Sequence, residues 1–408
     1  MKRTLFALLA LAFCLTACTP ATPEPESGSE VSQTTVENAA TAEESAPSAA
    51  PVAGGAIWGE NCQADSGRAW YTVNPLGDEN GIRQVQLLRL DYNTGKQDCL
   101  CTIDASPQQI GEPLARNGMV YLVLDKTLYR ISEEDGRMET VALDEPVFPV
   151  LADDVYGYAY SFDVGINNVR MMRLDLQSGE ITPLSMPAQS KGIWAVGGPR
   201  LLVRHLVTDA PLPSVEEGEQ YAAAIQNADC IYSWYDPATG AAEKLLEEPY
   251  YGVEQEDGSR RRRGFLGMAD GRLYFSWVVS KGEELLDYGM ESCDVSGQDW
   301  QALPEAPVKG EAIWSLEQQG KIRWVLGGRG EGAYWIYDVS TGQYHAMPHV
   351  TATDYWPCLL FQNGKVLLKF DGKNGQGRLV YGLMDEDAYL AGETDWTPVE
   401  YCDDKATL

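Results

Sequence analysis

The chain of 408 residues is poor in several things at once. It has 3 His, so a histidine-rich metal site is not expected. Lys and Arg number 31 against 60 Asp and Glu, a net charge of −29, which argues against a general nucleic-acid binder because phosphate attraction needs a basic surface. No apolar run reaches the roughly 20 residues that a membrane-spanning helix needs. Outside the first residues no stretch holds a long helical period. What remains is apolar enough to fold: hydrophobic residues make up 44%, with 11 Trp, 21 Tyr and 40 Gly.

The first twenty residues read as an export address. Lys2 and Arg3 precede an apolar run from Leu5 to Leu15, and the run ends in Leu15-Thr16-Ala17-Cys18. This ending resembles the lipobox of bacterial lipoproteins. The resemblance implies cleavage after residue 17 and lipidation of Cys18, with palmitate-type acyl chains that hold the mature chain to the cell envelope on its extracytoplasmic side. Thr19 follows the cysteine, so the Asp of the inner-membrane retention signal is absent. Residues 18–55 are then Ala, Thr, Ser, Pro and Glu without Lys, Arg or aromatics, a composition with nothing to bury that predicts a disordered tether. With about 37 residues its r.m.s. reach is roughly 30–37 Å. Removing the +2 of the leader and the six Glu of the tether leaves about −25 on residues 56–408. An acidic body is repelled by an anionic membrane surface, so the membrane is met through the lipid alone.

Residues 56–408 repeat a phrase: an apolar strand, an Asp or Ser, a short turn, then Gly. It occurs at Asp91–Gly95, Ser132–Gly136, Asp175–Gly179, Asp236–Gly240, Asp294–Gly297 and Asp338–Gly342, with a stretched copy at Asp385–Gly392. The polar markers lie 41, 43, 61, 58, 44 and 47 residues apart. The side chain caps the turn and Gly supplies the positive φ. A second phrase precedes each copy, a short strand, a turn and a strongly apolar strand, as in Ile193-Trp194 before Arg200–Val203. The first unit places it at Ile57-Trp58 before Arg68–Thr72. Four strands per unit and seven units predict an all-β fold, a seven-bladed β-propeller. The unit resembles the TolB-like, quinoprotein-like and WD40-like propellers, and the resemblance implies the architecture and no chemistry.

Strand order in such a blade, A to D from the centre outward, puts the A–B and C–D turns on one face. The B–C loops and the D-to-A crossovers lie on the other. The long intervals come from two insertions on that second face: the B–C loop of the fourth unit, Thr208 to Asp229, and the crossover from Leu246 to Gly264. Loops on a rigid scaffold carry recognition, although a decorated loop without a role reads the same way. Ser214 to Ile225 opens with a capping pattern and predicts a short helix. The crossover holds Arg260, Arg261, Arg262 and Arg263, readable as an oxyanion clamp or as a surface loop paired with Glu254, Glu256 and Asp257. Trp58, Trp194, Trp314 and Trp356 fall early in strand A, as stacking platforms or as wedges between blades. His205 ends strand B of the fourth unit near the insertions. With His345 and His349 it makes three scattered His, which form no metal motif. No nucleophile elbow, His-Glu-x-x-His or phosphate loop occurs, and no cofactor is indicated. Cys62, Cys99, Cys101, Cys230, Cys293, Cys358 and Cys402 are odd in number, so at least one thiol is free within a single chain. The expectation is a binding or scaffolding module for a carbohydrate, peptide or protein on the loop face. A propeller enzyme using loop-face carboxylates and an envelope-assembly factor are the two alternatives.

Overall fold

The computed structural model describes residues 53–54 and 61–400, apart from 64–68, 79–80, 153–154, 163–168, 188, 196–199, 214–216, 309–311, 319–320, 329–333, 348–355, 362 and 374–378. Cys18, residues 19–52 of the expected tether and Trp58 therefore lie outside the described residues, while Ala53 and Gly54, expected to belong to the tether, pair with Ala152 and Leu151. After a two-residue strand β1 (Ala53–Gly54), seven four-stranded antiparallel blades follow in chain order. Blade 1 is β2 to β5 (Asn61–Gln63, Ala69–Asp78, Gly81–Asp91, Lys96–Ile103) and blade 2 is β6 to β9 (Leu114–Arg116, Met119–Leu124, Thr127–Ser132, Met138–Ala142). Blade 3 is β10 to β13 (Phe148–Ala152, Tyr156–Phe162, Val169–Asp175, Ile181–Pro183) and blade 4 is β14 to β17 (Ser190–Ala195, Leu201–Val207, Asp229–Tyr235, Ala242–Pro249). A short β18 (Val253–Glu254) precedes blade 5, β19 to β22 (Arg260–Ala269, Arg272–Lys281, Glu284–Asp294, Gln301–Ala302). Blade 6 is β23 to β26 (Ala312–Gln318, Lys321–Gly328, Tyr334–Asp338, Gln343–Met347) and blade 7 is β27 to β30 (Trp356–Leu360, Lys365–Lys373, Leu379–Asp385, Thr397–Pro398). The chain is a seven-bladed β-propeller.

Alternation along each strand explains the ring. Both faces of a central blade strand are buried, so these strands read as nearly continuous apolar runs, and successive residues feed different interfaces. In β15, Leu201 and Val203 pack toward blade 3 with Tyr158 and Met171. Leu202 between them packs toward blade 5 with Leu273 and Phe275. Each of the seven interfaces has its own apolar cluster in this way. The last one joins blade 7 to blade 1 through Trp70, Leu90, Tyr92, Phe361, Leu367 and Leu383. Tyr92 stacks on Phe361 at 4.4 Å. The chain beyond β30 completes the closure: Gln97 N–H donates to the Glu400 carbonyl and Glu400 N–H to the Gly95 carbonyl, both at 2.8 Å.

The repeated Asp…Gly phrase is the C–D turn of every blade. Asp91 accepts the backbone N–H of Asn93 at 2.8 Å, and Asp175 accepts those of Gln177 and Ser178 at 2.9 and 2.7 Å. The seven turn glycines share φ between +68° and +80°. In blade 7 the turn is stretched by a helix, Glu386–Leu390. In the first blade the described part of the inner strand is Asn61–Gln63, with Cys62 in register with Tyr71, and Ile57-Trp58 lies outside the described residues.

These turns make the fold acid-sensitive. Burial pushes the Asp175 and Asp236 carboxyls up, but the N–H and hydroxyl donors of their own turns outweigh it and leave both below the ordinary range. The Ser296 hydroxyl and the Gln298 N–H lower Asp294 in the same manner. A depressed carboxylate stabilises the fold above its unfolded value of about 3.9, and that contribution is lost as pH falls through the folded value. The urea midpoint is expected to drop between pH 5 and pH 3. An Asp175→Asn, Asp236→Asn variant should show a smaller drop over that window.

Candidate functional site

The two insertions emerge side by side, from blades 4 and 5, on the face opposite the C–D turns. The B–C loop of blade 4 carries a helix, Gly218–Gln226, none of whose residues is fully buried. It starts later than the Ser214 cap suggests, at Glu217, without a side-chain cap. The second insertion is shorter than the sequence implies. β17 runs on to Pro249, and residues 250–259 hold β18, which pairs along the edge of β19 through Val253 and Arg261. The four arginines are therefore not in the crossover. They open β19, paired with Ser280, Val279, Val278 and Trp277. Period-two alternation splits them: Arg260 and Arg262 are exposed, and Arg261 and Arg263 are half-buried.

Arg261 and Arg263 point into the interface with blade 4. Arg261 donates to Glu291 at 2.7 Å, and Arg263 pairs with both Glu291 and Glu248. These carboxylates are only 7% and 8% exposed, which makes the group a buried ion network in place of a solvated loop. The guanidinium of Arg261 lies 4.8 Å over Trp277 and that of Arg263 4.7 Å over Trp300, cation–π contacts that share the desolvated charge. Of the three carboxylates beside the arginines in sequence, Glu254 pairs with Arg260 at 3.5 Å. Arg262 has no ion pair among the described residues.

Of the other candidates, Trp194 reaches the interface of blades 4 and 5 and His205 does not. Trp194 is late in β14, stacked on Tyr232 and edge-on to Phe265 at 5.0 Å, a wedge between blades 4 and 5. The side chains of Trp314 and Trp356 lie outside the described residues. His205 is 6% exposed and shares the face of Val203, turned toward blade 3 and away from the arginines. Burial lowers its pKa and its Nδ1 has no partner among the described residues. Cys99, Cys101, Cys230, Cys293 and Cys358 are free thiols. Burial pushes Cys293 up to about 12, so it behaves as a small apolar group. Among the described residues no group of three His, Cys, Asp or Glu could hold a metal ion.

Sequence reasoning missed Arg204, Glu248 and Glu291. Arg204 and Tyr232 are register partners on the blade 4 face that meets blade 5. Beside them lie the Cys230 thiol and Tyr250, and Tyr221 of the loop helix lies near Tyr250 and Tyr251. The interface between blades 4 and 5 thus gathers Arg204, Arg261 and Arg263 against Glu248 and Glu291, on a body whose overall charge is strongly negative. An excess of guanidinium with tyrosine hydroxyls around it is suited to hold an anionic or hydrogen-bonding ligand.

No protein-family model matches the chain. No curated protein matches it either. Among solved structures it is similar to an oligogalacturonate lyase in complex with manganese, with a TM-score of 0.51 and 11% identity, covering 82% of this chain and 90% of that one. TolB from Acinetobacter baumannii gives a TM-score of 0.36 at 13% identity over 78% of this chain and 77% of that one. The Neurospora crassa Pan2 WD40 domain gives 0.40 at 11% identity, over 83% and 87%. At such identities the likeness concerns the propeller fold alone.

Proposed function

We propose that this propeller is a binding module of the cell envelope, held to the membrane through a lipid on Cys18 and a flexible tether, and that it takes its carbohydrate, peptide or protein ligand on the loop face between blades 4 and 5. One observation carries the reading. The loops inserted into two neighbouring blades converge over the cleft where the arginines gather. A compact ring with tight turns on one face and its longest added segments on the other presents a rigid platform for recognition.

Binding is favoured over catalysis by the state of the carboxylates. An acid–base pair needs two carboxylates converging on open space, at least one with a raised pKa. Here Glu248 and Glu291 are both engaged by Arg263. The experiment is a glycan and peptide array probed with the chain. The expected result is a hit that is bound without turnover and lost when 209–226 is replaced by a short Gly-Ser link. Release of product from the hit, or a hit indifferent to that replacement, contradicts the reading.

A further inference from the structure

The charges in the cleft do not balance, and the imbalance falls on one residue. Arg204 is half-buried, and its Nε is wholly buried without an acceptor. No ion pair to it exists among the described residues. Its neighbours are Tyr232, Cys230 and Tyr250, none of which carries a charge at neutral pH. Glu248, registered with Cys230 on the far side of β16, is already taken by Arg263, and Glu291 is shared by Arg261 and Arg263. A guanidinium taken out of water without a counter-charge is destabilising. For all the carboxylates this chain carries, none of the described ones pairs here.

Arg262, the register partner of Val278 on the face turned toward blade 6, carries a further charge whose field reaches the same groups. It is exposed and without an ion pair among the described residues, and it acts on Tyr251 and Cys230. Burial raises the Cys230 thiol, and Arg204 and Arg262 are the two groups that oppose it, so both positive charges act on it. Tyr250 N–H donates to the Ala228 carbonyl at 2.8 Å, which fixes the tyrosine pair at the foot of the loop helix. Tyr250 and Tyr251 pack edge to face at 5.2 Å. The loop helix sets Tyr221 near that pair, while burying none of its own residues fully.

We infer that Arg204, assisted by Arg262, is the anchoring point for an oxyanion, a carboxylate or phosphate group borne by the ligand, which enters the cleft between blades 4 and 5 beneath the helix Gly218–Gln226. The inference rests on the loop-face reading above and names the group that face recognises. An edge of a guanidinium presents two parallel N–H groups, the fork that matches two oxygens of a carboxylate or phosphate. Arg261 and Arg263 already have their counter-charges in Glu291 and Glu248. Tyr221, Tyr250 and Tyr251 offer neutral hydroxyl donors and ring faces to the remainder of the ligand.

Titration calorimetry of the chain with inorganic phosphate, and separately with acetate, tests this. One of the two anions should bind with one-to-one stoichiometry, and which one does so identifies the group. Arg204→Met should weaken it by about tenfold or more, the loss of one bidentate charged pair. Arg262→Gln should weaken it several-fold, and Arg260→Gln, whose arginine pairs with Glu254, should leave it unchanged. In anion-free buffer Arg204→Met should unfold at the same or a higher denaturant concentration, because the apolar isostere removes an unpaired charge. A merely structural arginine would make that variant less stable. Absence of binding by both anions, or equal affinity for Arg204→Met and the parent, overturns the proposal. Should Arg204→Met not fold, equal affinity for Arg262→Gln and Arg260→Gln overturns it. An array hit that needs 209–226 but ignores Arg204 refutes the oxyanion anchor and leaves the loop-face reading standing.

Discussion

Replacing Gly136 by alanine is expected to lower the unfolding free energy by about 3–4 kcal/mol, the sum of a left-handed backbone penalty and an overpacking penalty. Gly136 closes the C–D turn of blade 2 with φ of +69°. A Cβ there would overlap the Leu100 carbonyl oxygen on the outer strand of blade 1. That atom is backbone and belongs to a paired strand, so neither side gives way cheaply. Gly118→Ala is the control. Its φ is +76°, but a Cβ would meet nothing within 4 Å, so only the backbone penalty of about 1 kcal/mol remains. The pair of denaturation curves separates turn conformation from blade-to-blade contact. Equal losses in the two variants would mean that the turns do not brace neighbouring blades.

The same turn glycines lock the ring in sequence. Gly179 faces Val141 on the outer strand of blade 2, and Gly297 faces the Leu245 carbonyl on that of blade 4. Gly95 faces Thr397 and Pro398 on that of blade 7, where the ring closes. Each of these turns therefore serves its own blade and the one before it.

Glu291→Gln is expected to cost about 3–5 kcal/mol, because it leaves Arg261 without its carboxylate and takes from Arg263 one of its two. Its measure is again equilibrium denaturation, with Glu243→Gln as the comparison. The Arg200–Glu243 pair is equally short at 2.7 Å, but its side chains are 47% and 73% exposed. Solvent screens such a pair, and its loss should stay within about 1 kcal/mol. Combining Glu291→Gln with Arg263→Met should recover part of the loss, since contacting groups couple by about 0.5–3 kcal/mol. Additive losses would place Arg263 outside the network.

The C–D turns were legible because their determinants are local. An Asp that caps its own turn and a Gly at positive φ a few residues later need no knowledge of the rest of the chain. The blade count followed from their spacing. The site was legible only as an address. The position of the blade 4 insertion could be read from the interval lengths, but the ends of the second belong to β17 and β19, and the partners of the arginines could not be read. Glu291 lies 28 residues from Arg263 and reaches it through the register of β19, β20 and β21. Glu248 belongs to the preceding blade, so only ring geometry brings it near. Whether a residue of β15 faces blade 3 or blade 5 depends on a one-residue choice of parity. That choice sends His205 away from the cleft and Arg204 into it. A charged residue inside an otherwise apolar strand B was the one available signal for Arg204, and the four adjacent arginines drew attention from it.

Recognition on the face where the loops of blades 4 and 5 meet is tested most directly by the dissociation constant of the array hit, measured on three proteins. These are the parent, the chain with 209–226 replaced by a short link, and an Asn93→Ala, Asn363→Ala variant. Asn363 donates to Asn93 at 2.9 Å at the junction of blades 7 and 1, beside the Asp91–Gly95 turn on the opposite face. At least about a tenfold loss is predicted for the loop replacement and an unchanged constant for the asparagine variant. An unchanged constant for the loop replacement, with the loss in the asparagine variant, would contradict recognition on the loop face.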